Sequence, residues 1–271
     1  MSVIQSIQAI QIIDSRGTPT VSCKVTLENG ICATSMVPSG ASTGSREALE
    51  LRDGNEAYLG KGVSKAVANI HEIIAPALIG MDVTNQQDID EKMLALDGTS
   101  SKSKLGANAI LGVSLAVLDA GSKALELPLY KYINQVFDHI NGEKPKMQMP
   151  TPMLNIINGG EHADNNIDIQ EFMIMPVGAI NFSQAMQWAT EIYSDLKHIL
   201  NTKGLSTSVG DEGGFAPNLQ SNQEAIELII QAIQNNNLTE GRDVGIALDC
   251  AASEFYKNGT YNLEGESIKL N

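Results

Sequence analysis

The spacing of apolar and polar residues changes once along the chain, from a period of two to the longer period of helices. Between Val3 and Val37 apolar and polar residues alternate, and Asn29-Gly30 separates two alternating runs. An Asn-Gly pair between alternating runs is typical of a tight hairpin. The pattern predicts an antiparallel sheet with one buried face, formed by Val21, Cys23, Val25 and Leu27.

Helical spacing follows the loop at residues 38–45. Apolar residues at 63, 67, 70 and 74 fall on one helical face, and those at 89, 93 and 96 fall on another. Residues 107–125 are rich in Ala and Leu and predict a buried helix that Pro128 ends. Strands followed by helices predict a small α+β domain, residues 1–140. Residues 141–146 have the composition of a linker.

The remaining residues, 141–271, alternate between short apolar runs, polar loops and amphipathic helices, which predicts a β/α layer. Helices are predicted at 182–200 and 222–234, and a hairpin turn at Asn258-Gly259. Four strands are too few to close a barrel of eight. These predicted strands are 153–157, 172–177, 206–209 and 244–248.

Composition narrows the class of protein. A formal net charge of −14 repels phosphate backbones and anionic lipids, so nucleic acids and membrane surfaces are not expected partners. The chain has 3 cysteines without metal-ligand spacing, which argues against a disulfide framework and a zinc site. No signal peptide and no membrane span are predicted, and a cytoplasmic location is expected.

Polar residues gather at the edges of the predicted strands, in Asn158–His162, Gln170-Glu171, Gly210–Gly214 and Asp249. In a parallel β/α layer such edges converge, so Glu171 and Glu212 would form a carboxyl pair that holds or moves a proton. Asp249 suits magnesium as a hard-oxygen ligand. Alternatively, these acids lie in solvated turns, His162 bonds its own backbone and Asp249 caps the next segment.

The loop at residues 38–45 contains Gly-x-Ser-x-Gly around Ser42, the pattern of a serine hydrolase elbow. Pro38 and Ser39 intervene between this motif and the preceding strand, which disfavours the hydrolase hypothesis. The loop is otherwise interpreted as a mobile lid or a connector.

Several motifs together resemble the enolase family, in particular enolases of bacterial type, along essentially the whole chain in order. They include Asp14-Ser15-Arg16-Gly17, Ser39–Gly44, Glu47–Asp53, Asn155–Ala163, Gln170–Met173, Val209–Asn218 and Ala247–Ala251.

This resemblance implies an α/β fold in which a small α+β domain precedes the first part of a (β/α)8 barrel that begins with two strands and two helices. It implies a lyase that interconverts 2-phosphoglycerate and phosphoenolpyruvate in glycolysis, usually as a homodimer. The substrate is a small phosphorylated carboxylic acid. A superfamily site of this kind pairs a base with Mg²⁺.

The resemblance also assigns roles to residues of this sequence. Glu212 would be the general acid with Glu171 beside it. Gln170, Glu171 and His162 would contact the substrate, and Asp249 and Ser42 would be metal ligands. The family's lysine base and other metal carboxylates belong to a later half of the barrel. These 271 residues alone are therefore expected to show no significant dehydratase activity. The alternative is a noncatalytic binding fragment.

Overall fold

A computed structural model gives the fold of the protein and describes residues 2–40, 43–143 and 145–271. The chain forms two compact units, one from residues 2–40 and 46–147 and one from residues 43–45 and 148–271. The main change from one unit to the other follows the predicted linker. The domain limits 1–140 and 141–271 stay predictions.

The first unit begins with the predicted antiparallel sheet, so this prediction is confirmed. The strands pair in the order β1 (Ile4–Ile13), β2 (Pro19–Leu27) and β3 (Cys32–Met36). Gly30, in the turn before β3, has a φ of +85°, a conformation that glycine adopts without steric cost. The predicted face of β2 is 0% exposed at Val21, Cys23, Val25 and Leu27.

In the described part of the first unit, the sheet is followed by the α-helices α1 (Ser64–Asn69), α2 (Ala75–Leu78), α3 (Gln86–Asp97), α4 (Ala107–Ala124) and α5 (Leu129–Asn141), with a π-helical turn, Ile70–Ile74, between α1 and α2. Helix α4 packs on β2 and β3, which confirms the predicted buried helix. A Cβ on its Gly112 would lie 3.2 Å from Cγ2 of Val37, so glycine permits the close approach. Pro128 caps the start of α5 rather than the end of α4.

The second unit contains a three-stranded sheet and two long helices. In chain order they are β4 (Leu154–Asn158), β5 (Glu171–Met175), α6 (Phe182–Thr202), α7 (Asn222–Asn235) and β6 (Gly245–Asp249). This order of two strands, two helices and a strand is the one that the resemblance implied. Helices α6 and α7 pack on each other, and Phe172 and Phe215 are among the largest fully buried side chains.

The expectation that the strands of this layer are parallel is wrong for β5. The sheet order is β4-β5-β6, and β5 pairs antiparallel with both neighbours. The connection from β4 to β5 contains no helix other than the short 3-10 turn Gly160–His162. A parallel strand needs a longer crossover, usually helical, whereas a loop of this length returns the chain in the opposite direction.

A strand predicted at residues 206–209 is also absent. In that segment only Val209 forms a bridge, antiparallel with Phe215, while Phe215 forms a parallel bridge with Ile157. Phe215 thus occupies the place beside β4 with a single residue. The prediction failed because an apolar run between turn residues looks the same in the sequence whether it forms a full strand or a single bridge.

The final residues form a small antiparallel sheet of β7 (Tyr256–Lys257), β8 (Thr260–Leu263) and β9 (Ile268–Leu270). The hairpin turn predicted at Asn258-Gly259 is confirmed, and both of its residues have positive φ. Among the helices in the described ranges, each is too short or too polar to cross a bilayer.

Candidate active site at the edge of the second sheet

One edge of the second sheet brings three polar residues into a single row. Asn158 ends β4, Glu171 begins β5 and Asp249 ends β6; the register pairs Asn158 with Glu171 and Glu171 with Asp249. Because β5 runs against its neighbours, its first residue lies beside their last residues. Directly opposite side chains project from the same face of a sheet. The predicted convergence therefore occurs, but through an antiparallel strand.

The segment that carries Glu212 is fixed beside β4. The Phe215 amide donates to Ile156 O at 2.9 Å, and the Asn158 amide donates to Phe215 O at 2.9 Å. The Phe215 ring stacks on Tyr193 with centroids 4.4 Å apart. The Tyr193 hydroxyl donates to Gly213 O at 2.9 Å. These contacts hold the end of the turn that follows Glu212.

His162 ends the 3-10 turn after β4, and its side chain is only 4% exposed. Its carbonyl oxygen accepts a hydrogen bond from the Asp211 amide at 3.0 Å, which joins this turn to the Glu212 segment. A Cβ on Gly210 would lie 2.5 Å from His162 O, so glycine allows the two segments to approach.

The carboxylates of Glu171 and Glu212 and the imidazole of His162 lie close together at this sheet edge. His162 Nδ1 lies 3.4 Å from Glu171 Oε1 and 4.0 Å from Glu212 Oε1. One potential ligand atom from each of the three residues lies within 4.8 Å of the others. The Glu171 side chain is 18% exposed and that of Glu212 is 46% exposed. His162 also lines an open cleft of about 320 Å³ beside Asp211.

The surroundings of Glu171 favour its neutral form. Burial raises the pKa of its carboxyl group, the negative charges of Asp249 and Glu212 raise this pKa further, and His162 lowers it. Burial and like charges both disfavour an additional negative charge. Glu171 is therefore the member of the pair that the structure suits for retaining a proton.

The donor set fits a hard divalent cation. Glu171 and Glu212 offer carboxylate oxygens, which Mg²⁺ prefers, and Mg²⁺ usually takes only one or two carboxylates and keeps several waters. Asp249 lies outside the compact group formed by the described residues, although it is opposite Glu171. Its Oδ1 accepts from the Ala251 amide at 2.9 Å, so the capping interaction considered from the sequence is present. Its second oxygen can still serve as a ligand.

Two other predicted site residues have different outcomes. Gln170 is 4% exposed, and its carbonyl oxygen accepts from the Gly159 amide at 3.0 Å. Its position beside Glu171 is compatible with substrate contact, which stays a prediction. Ser42 lies outside the described residues, so both its metal role and the hydrolase alternative stay predictions.

Asn158 is a residue of the site for which no role was predicted. It is fully buried, and its side chain accepts from the Gly214 amide at 2.9 Å. Its position before Gly159-Gly160 indicated only a turn. A buried amide that joins distant segments has no local sequence pattern, so only the fold identifies it.

Two family models match the chain. The model described as "Enolase, N-terminal domain" matches residues 4–133. The model described as "Enolase, C-terminal TIM barrel domain" matches residues 146–271. The second match includes His162, Glu171, Glu212 and Asp249.

Proposed function

Because the chain belongs to the enolase family, whose members are lyases, we propose that it serves the reversible, Mg²⁺-dependent dehydration of 2-phosphoglycerate to phosphoenolpyruvate. The cluster of His162, Glu171 and Glu212 within 4.8 Å carries this proposal. It joins a carboxyl group of raised pKa to an accessible carboxyl group at the edge of a sheet. Such a pair suits general acid catalysis near neutral pH.

The two glutamates take different parts in the proposed reaction. Glu171 is partly buried, its carboxyl group has a raised pKa, and it keeps one proton within the pair. Glu212 is more exposed and donates its proton to the departing hydroxyl oxygen of the substrate. The proton next to the substrate carboxylate is removed first, by a base outside the cluster, and the electron pair of that C–H bond then forms the C=C bond as the C–O bond breaks. The departing oxygen takes the Glu212 proton and leaves as water, and Glu212 remains as a carboxylate.

Asp249 and Ser42 would hold Mg²⁺, which supplies positive charge beside the carboxylate of the substrate. The hard-oxygen donors of Asp249 and the two glutamates support this assignment. His162 and Gln170 orient the substrate next to the pair. A net charge of −14 repels an anionic substrate, so metal ions or a local nest of donors must hold it.

The remaining parts of the proposal follow the family resemblance. They are a bacterial-type enolase of glycolysis, a cytoplasmic location and assembly as a homodimer. The strongly acidic composition supports the absence of nucleic-acid partners.

Calorimetric titration of the chain with 2-phosphoglycerate, with and without Mg²⁺, tests this function. We expect binding that requires Mg²⁺ and that weakens about tenfold or more in Asp249→Asn and Glu212→Gln. Replacing residues that only support the ligands of a metal already lowers metal affinity by about 10–100-fold. Glu227→Gln removes an acid from the exposed side of α7 and is the matched control, with unchanged binding. Binding without Mg²⁺, or equal binding by all variants, would contradict the proposal.

A further inference from the structure

Three segments of the second unit carry the three members of the cluster, and Asn158 contacts all three. The Asn158 Oδ1 atom accepts from the Gly214 amide at 2.9 Å, two residues after Glu212. Its Nδ2 atom donates to Gln170 O at 3.4 Å, immediately before Glu171. Its main-chain oxygen accepts from Asn165 Nδ2 at 2.9 Å, in the loop that follows His162.

The orientation of the Asn158 amide is determined by these partners. Gly214 offers only a backbone N–H and Gln170 offers only a carbonyl oxygen, so a flipped amide would satisfy neither. Asn158 is also 0% exposed. Loss of the Asn158 amide would leave the Gly214 N–H without its acceptor in this interior, whereas Gln170 O would keep the bond from the Gly159 amide. The bond between Asn158 and Gly214 is therefore strongly favoured in the folded unit.

Glycines enclose the Asn158 side chain. A Cβ on Gly210 would lie 2.9 Å from Asn158 Cβ, and a Cβ on Gly214 would lie 2.8 Å from its Oδ1. The backbone that leads into and out of the Glu212 turn therefore closes directly on this amide. No other side chain among the described residues has a hydrogen bond to both the Gln170 and the Gly214 main chains.

We propose that Asn158 is the positioning residue of the site: its buried amide sets the separation of Glu171 and Glu212, and with it the affinity for a divalent cation. This inference rests on the proposed function only for its cation readout. It assigns no contact between Asn158 and substrate. Supporting residues of this kind change metal affinity by about 10–100-fold although they are not ligands themselves.

Two variants separate positioning from simple destabilisation. Asn158→Ala removes both amide bonds. Asn158→Asp has nearly the same shape, keeps an acceptor for the Gly214 amide and loses the donor to Gln170 O. The aspartate also adds negative charge, which by itself would strengthen cation binding. Asn236→Ala is the control, because it removes a partly buried hydrogen bond from the Asn236 side-chain amide to Ala232 O, in the same unit but away from the cluster.

The first measurement needs no metal. The chain has 4 histidines, so imidazole NMR signals resolve individually, and His198 on α6 is an internal reference. We expect the His162 imidazole and the Glu171 carboxyl signals to shift in both Asn158 variants, with His198 and the Asn236→Ala spectrum unchanged. Unshifted signals in folded Asn158→Asp would overturn the positioning role, whatever the protein binds.

The second measurement is the affinity for Mn²⁺, which carboxylates and waters bind as they bind Mg²⁺. Mn²⁺ should broaden the His162 signals of the unsubstituted chain, and both Asn158 variants should bind it about tenfold or more weakly. Binding by Asn158→Asp that is equal or tighter would overturn the inference. If Mn²⁺ fails to bind the unsubstituted chain, the proposed function fails and the first measurement decides the role of Asn158.

Discussion

The Glu171 carboxylate should destabilise the fold that contains it, and Glu171→Gln measures the effect. One oxygen of Glu171 lies within 4.8 Å of one oxygen of Glu212. At this separation Coulomb's law gives a repulsion of about 0.9 kcal/mol in water and about 3.5 kcal/mol at an effective dielectric constant of about 20. Because Glu212 is 46% exposed, the lower value applies. We expect Glu171→Gln to raise the free energy of unfolding by about 1 kcal/mol at about pH 8.

The dependence on pH has a definite sign. The pKa of Glu171 is raised above its ordinary value of 4.5 in the folded chain, so folding favours the protonated form. The penalty is absent well below that ordinary value. It grows as the pH rises from there through the folded-state pKa, and it is complete above that pKa. The gain from Glu171→Gln should therefore vanish near about pH 4.

Urea unfolding followed by Trp188 fluorescence is the assay. Trp188 is the single tryptophan of the chain and packs against the core of the second unit, so its emission reports that unit. Glu227→Gln is the control, because the Glu227 carboxyl group is exposed on α7, where it accepts a hydrogen bond from Gln223 one turn earlier. Equal stability of Glu171→Gln and the unsubstituted chain at about pH 8, or a gain that persists near about pH 4, would refute the electrostatic reasoning.

Three further results are expected. Gly210→Ala places a Cβ 2.5 Å from His162 O. It should lower the free energy of unfolding in urea by about 1–3 kcal/mol and weaken Mn²⁺ binding. The control Gly204→Ala has open space around its Cβ but a φ of +72°, so it should lower the free energy of unfolding by about 1–2 kcal/mol without changing Mn²⁺ affinity. Phe215→Ala should destabilise the second unit by about 3–5 kcal/mol, because this side chain is 1% exposed and stacks on Tyr193; a loss below about 1 kcal/mol would contradict its place in the core. Mn²⁺ at about 100 times its dissociation constant should raise the free energy of unfolding by about 2.7 kcal/mol, and a chelator should reverse this gain. An unchanged urea unfolding transition would exclude a Mn²⁺ site that is specific to the folded chain.

The elements that the sequence predicted well are those with strong local periodicity. Alternation from Val21 to Leu27 places every second side chain on one face, and that face is fully buried against α4. The run at residues 107–125 is rich in apolar residues and has no continuous polar stripe. A helix of this composition is expected to be buried. Such patterns depend on neighbours a few residues away, which a single sequence contains.

The features that the sequence did not predict depend on contacts between distant residues. The direction of β5 follows from its pairing with β4 and β6, and its own five residues are compatible with either direction. The single bridge of Val209 depends on Phe215 occupying the place beside Ile157. Glu171 and Glu212 were expected to form a pair, but their different exposure follows from the fold around them.

The irregular register of β4 has a consequence for how this protein tolerates changes in length. The pairing between β4 and β5 shifts between Asn155 and Ile157, and only beyond that bulge does Asn158 stand opposite Glu171. Side chains alternate between faces, so a slip of one residue would exchange Glu171 for the buried aromatic ring of Phe172. Gains or losses of a residue within β4 should therefore disrupt the acidic row and the hydrophobic core together, because the same slip turns Phe172, which is 0% exposed, out of the core.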